Sequence, residues 1–139
     1  MRVELFTLCD YACEYSGKMI ILGIFDTLFT RELPAVHHHC NVAARIRFER
    51  IEEGPKRIRL TVCDADGRHV LPPIDMNFNA SVPEGTHTST LQVIGNINGL
   101  RLEHHGEYSL DLAVDSRHEA SIPLFVRPIE ELPQPRPPL

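Results

Sequence analysis

At 139 residues, with 42% hydrophobic and 24% charged residues, the chain has the size and mixture of one ordinary globular domain with a single core. A formal net charge of -5 removes the long-range attraction to polyphosphate on which non-specific nucleic-acid binding depends, and no apolar run approaches the roughly 18 residues of a membrane span. Nucleic acid and membrane are therefore set aside as partners.

Residues 2–8 read as a strand directly after Met1, without the basic, apolar and small-residue succession of a secretory leader. This points to a reducing cytoplasm, where the four cysteines, Cys9, Cys13, Cys40 and Cys63, are expected to be free thiols. Strands are predicted over 3–9 and 18–29, joined across 10–17. The second is apolar on both faces, as expected of a strand buried in the middle of a sheet.

His37, His38, His39 and Cys40 follow Pro34. Neighbours in an extended chain face opposite ways, so only His37 and His39 could chelate together, about 7 Å apart along the strand. With Cys40, and with further ligands from Cys9 and Cys13 or from His104 and His105, such a set would suit Zn²⁺. The alternative is a polar loop between two strands, because the closed-site spacings of structural zinc are missing.

The clearest alternation covers 42–49, where Val42, Ala44, Ile46 and Phe48 face one way and Ala43, Arg45, Arg47 and Glu49 the other. Residues 56–63 repeat it, with Ile58, Leu60 and Val62 inward and Arg57 and Arg59 outward, and the turn chemistry of Glu52, Glu53, Gly54 and Pro55 suggests a hairpin. In one register Arg47 then lies across from Arg59; a shift of two residues puts Glu49 there instead. The outward arginines Arg45, Arg47, Arg57 and Arg59 are candidates for binding a carboxylate, a phosphate or an acidic patch of another subunit, which the guanidinium fork favours. The competing reading is a solvated charge ladder with Glu107, Asp111 and Asp115, if the strand that carries Tyr108 lies beside Arg45 and Arg47.

Asp64 to Gly67 makes a tight turn and lacks the distant Glu of a calcium loop. A short return strand stops at Pro72 and Pro73, and further strands are predicted over 74–80, 88–97, 107–115 and 121–126, with Pro123 marking an edge or a bulge. Gly106 followed by Tyr108 resembles a tyrosine corner, in which the phenol bonds to upstream backbone. The sum is about seven or eight strands and no helix-period segment, hence an all-β, two-sheet antiparallel sandwich of immunoglobulin-like type. The domain spans 1–127; the tail, 128–139, holds Pro128, Pro133, Pro135, Pro137 and Pro138 and is extended or disordered.

Residues 5–12, then Gly17, Lys18, Gly23, Phe25 and Asp26, residues 44–48, and Gly106 with Tyr108 resemble a family of small uncharacterised bacterial proteins. The resemblance, over about 1–127, implies a β-sandwich in a bacterial, cytoplasmic setting; it carries over no catalytic residue, substrate or partner. No nucleophile elbow, Walker loop or dinucleotide fingerprint is present. The expected function is non-catalytic: contact with a protein partner or a second copy, through a sheet edge or the arginine face, without a cofactor. The alternative is a metal-binding protein or metal-dependent enzyme built on His37, His39 and Cys40 with zinc.

Overall fold

Period-2 burial dominates the chain, and among residues 1–138, which the computed structural model describes, it yields nine strands and no α-helix. The strands are β1 (Arg2–Tyr15), β2 (Lys18–Phe25), β3 (Thr27–Thr30), β4 (Ala35–Glu49), β5 (Gly54–Cys63), β6 (Ile74–Ala80), β7 (Thr88–Leu102), β8 (Gly106–Val114) and β9 (Arg117–Pro128). One sheet has the order β2-β1-β4-β7 and the other β3-β9-β8-β5-β6. The second sheet curls into a half-barrel. No helix among the described residues is long and apolar enough to cross a membrane.

The inner faces of both sheets share one core, in which Val42, Ile46 and Phe48 of β4 belong to the same cluster as Ile58, Leu60 and Leu112 of the second sheet. Each is almost wholly removed from water, a stabilisation of about 1.5 to 3 kcal/mol per large side chain before entropy is counted. At the β7–β8 junction the Tyr108 hydroxyl donates to the His104 carbonyl at 2.7 Å and accepts the His104 N–H at 3.2 Å. The bond expected of that tyrosine is formed.

Several expectations are corrected. β4 and β5 are not a hairpin: they lie in different sheets, and a 3-10 turn at Arg50–Glu52 carries the chain across. Alternation cannot tell a lateral neighbour from a facing one, because both arrangements bury one apolar face. The crossover is tied down by Arg50, which donates to the carbonyls of Val82, Pro83 and Thr86. β8 accordingly lies beside β5 and β9, away from Arg45 and Arg47.

The predicted 10–17 connection is mostly strand. Only Ser16 and Gly17 turn, both at positive φ (50° and 75°), the geometry of a two-residue hairpin. The predicted 18–29 strand is two strands in different sheets, and β2 is an edge rather than a buried centre. One pair, β3 with β9, is parallel. Because β3 reaches only Phe125 to Pro128, the side of Pro123 facing β3 is left without a strand, which is how an interior strand accommodates a proline. Past β9, residues 132–138 are exposed and irregular.

Candidate functional site

The β1–β2 hairpin leaves its own sheet part-way along. Up to Cys9, β1 pairs with β4, ending at Cys9 opposite Asn41. Beyond that point the tip turns over the outer face of the sheet, where Gln92 of β7 donates to the Gly17 carbonyl at 2.9 Å. Cys9 and Ala12 pack in the same small cluster with Ala43, Met19, Ile21 and Ile94. In an unbroken strand, residues three apart face opposite ways, so the chain changes face between them. Opposite the change sits Gly23, at φ +67°, and the Asp10 side chain occupies the space that a Cβ there would need. Only glycine fits this kink at low cost.

Asn41 fixes the bend. Almost wholly buried, it accepts the Ala12 N–H and donates to the Gly95 carbonyl and to Asn96 Oδ1 at 2.9, 3.1 and 2.7 Å. Its polarity is fully satisfied where a buried amide would otherwise be costly. The Cys9 thiol, near the same bend, donates to the Asn41 carbonyl.

The bend divides the hairpin arm into two faces. Ala12, Ile21 and Met19 look down on the sheet; the opposite face carries the cross-strand neighbours Tyr11 with Leu22, Cys13 with Ile20, and Tyr15 with Lys18. Tyr11, Tyr15, Ile20 and Leu22 are 51%, 69%, 41% and 57% exposed, and Ile24, past the kink, is 63% exposed. On the order of 500 Å² of largely apolar side chain is thus left in water, at the top of what monomeric proteins show in one patch.

The predicted arginine site divides in two. Glu4 lies between Arg45 (Nε to Oε1, 3.1 Å) and Arg47 (Nε to Oε2, 2.9 Å), with Arg2 at 3.1 Å, on the outer face of the first sheet. These hydrogen bonds, Arg47's foremost, hold the Glu4 carboxyl down to about 2. Arg59 makes a fork to Asp75 at 2.8 and 3.0 Å, with Arg57 at 3.6 Å, on the second sheet. The four arginines do not converge, and each pair already has a carboxylate of its own chain.

His37, His39 and Cys40 lie inside β4 rather than in a loop. The two histidines face opposite ways: the β4–β7 ladder is interrupted opposite Gly99 (φ +66°), so His37 pairs with buried Leu100 while His39 pairs with exposed Asn98. The joint chelation expected of His37 and His39 does not form, because the strands change face at Gly99 without a change of register, which alternation alone does not reveal. His39 Nδ1 bonds Asn98 Oδ1 at 2.9 Å. His37 tilts against Phe25 with ring centroids 5.9 Å apart, beside a cleft of about 400 Å³ that Thr30, Glu32 and Leu102 help to line. Burial lowers its pKa and leaves Nε2 without a partner. Cys40 is buried, and desolvation pushes its thiol up to about 11, against the thiolate that a metal needs. Among the described residues no three His, Cys, Asp or Glu side chains gather as a metal-binding group.

Tyr11, Tyr15, Ile20 and Leu22 are the surface residues that sequence reasoning missed. Their one legible signal was the double-sided apolarity of 18–25, which fits a buried strand and an unprotected edge equally well. Residues 4–127 match a family of unknown function (DUF6941). The chain belongs to this family. DUF6941 therefore covers all nine strands apart from the first residues of β1 and the last of β9, including the arm, its Gly23 kink and Asn41. Among curated proteins none matches the chain significantly.

Proposed function

We propose that this protein is a non-catalytic contact module whose working surface is the outward face of the β1–β2 arm. The observation that carries the reading is the uncovered apolar face of Tyr11, Tyr15, Ile20 and Leu22, held on a strand edge by Asn41 and Gly23. Folding alone gives no reason to leave such a face in water, whereas a protein contact does. Tyrosine is among the residues enriched at contact hot spots. The fold we assign is a variant of the immunoglobulin-like sandwich, supported by the two-sheet core and by the corner bonds of Tyr108. A bacterial cytoplasm is the proposed setting, supported by the resemblance described above and by four cysteines that are all unpaired.

Photo-crosslinking in host-cell extract tests the contact surface. Benzoylphenylalanine in place of Tyr15 is expected to give protein adducts, and the same group in place of exposed Asn77, on the other sheet, is not. No adducts at position 15, or equal yields at both positions, would contradict the reading.

A further inference from the structure

We infer that this arm pairs with a second copy of the chain, β2 to β2 in antiparallel fashion about a two-fold axis at Ile21, so that the two β1–β2 hairpins become one four-stranded ribbon. The inference rests on the reading of the arm as a contact surface, and it names the partner.

The edges of the two sheets differ in how they are protected. β6 carries Asp75, Asn77 and Asn79 and follows Pro72 and Pro73; β3 is only four residues long and is followed by Pro34; β7, the other edge of the first sheet, keeps its apolar side chains buried or half-buried and exposes Asn96, Asn98, Gly99 and Arg101. Charges, prolines and brevity are the ordinary defences of an edge. β2 has none of them over Met19 to Leu22, and Lys18 is its sole charged residue.

Charge sets the direction. Lys18 opens the strand, with Glu14 of β1 near it; at the other end Asp10 of β1 lies against Gly23 and Asp26 follows the strand, all four being exposed. An antiparallel copy brings each Lys18 toward the other's Asp10 and Asp26, whereas a parallel copy would place Lys18 beside Lys18. With the axis at Ile21, Ile20 lies opposite Leu22 of the second copy, and Leu22 opposite its Ile20. Apolar side chains of the two edges therefore stand side by side across the axis, as an isologous contact requires.

Sedimentation velocity on the purified full-length chain tests this, read with three variants. Wild type is expected to sediment as a dimer that dissociates on dilution. Leu22→Lys, at an exposed position, is expected to weaken the dimer at least about 100-fold. Lys18→Asp is expected to weaken it about 10-fold, while Lys18→Arg preserves it. Circular dichroism of each variant verifies the fold. A wild-type chain that stays monomeric up to about 0.5 mM overturns the self-pairing, since association weaker than that is marginal; so does a dimer indifferent to Leu22→Lys and Lys18→Asp. Protein adducts at position 15 that join the chain to a different protein would then leave the contact-surface reading standing, and their absence would remove both.

Discussion

Asn41 holds Ala12 by the backbone: its Oδ1 accepts the Ala12 N–H at 2.9 Å, at the point where β1 leaves β4. The same side chain reaches β7 through Gly95 and Asn96. One buried amide thus sets both where the arm bends and which of its faces looks outward. Replacing it with Ala leaves the Ala12 N–H and the Gly95 carbonyl without their partner in a buried site. The expected loss is about 2 to 4 kcal/mol in chemical denaturation, with faster amide exchange along the arm than in β8. A loss under 0.5 kcal/mol would show that the arm is placed by other contacts.

Tyr108→Phe keeps the ring in the core and removes only the hydroxyl that joins both backbone groups of His104. Denaturation should show a loss of about 1 to 2 kcal/mol. An unchanged midpoint would mean that water replaces the phenol without cost.

Acid should destabilise the fold through the two arginine clusters. Glu4 is held down to about 2, chiefly by its hydrogen bond from Arg47, and Asp75 is lowered chiefly by Arg59. A depressed carboxylate contributes stability that is complete above its unfolded pKa, about 4, and that disappears as pH falls through the folded value. The melting temperature should therefore fall between about pH 4 and pH 2, and less steeply in Glu4→Gln. Identical slopes in the two proteins would exclude a Glu4 contribution. Both clusters are exposed, so added salt should flatten the dependence.

The thiols should divide by burial. Cys9 and Cys40 are buried, with pKa values raised mainly by desolvation, to about 11 for Cys40. Ellman reagent should leave both unreacted in native protein and find all four thiols after denaturation without reductant. Fewer than four in the denatured sample would contradict the reducing setting.

Much of the fold was legible because Val42, Ile46 and Phe48, and likewise Ile58, Leu60 and Val62, alternate strictly with polar neighbours. The same pattern is silent on which sheet a strand joins, so β4 and β5 were paired although they face one another across the core. Residues 18–25 misled for a related reason: Met19 and Ile21 are covered by the arm's own fold-back, whereas Ile20 and Leu22 remain in water. Alternation also assumes an unbroken strand. The irregularities at Gly23 and Gly99 turn Ala12 and His37 to the face opposite the one that counting gives, and a glycine at positive φ was the only trace of either. Asn41 went unremarked because a lone Asn in a strand looks like a surface residue until its partners on β1 and β7 arrive from distant parts of the chain.

Hydrogen–deuterium exchange of the β2 amides at two protein concentrations, one on each side of the dissociation midpoint, tests the central claim most directly. The amides of residues 18–22 should exchange more slowly in the concentrated sample, while those of β6, an edge of the other sheet, keep their rates. Equal exchange of β2 at both concentrations, or slowing confined to β6, would contradict it.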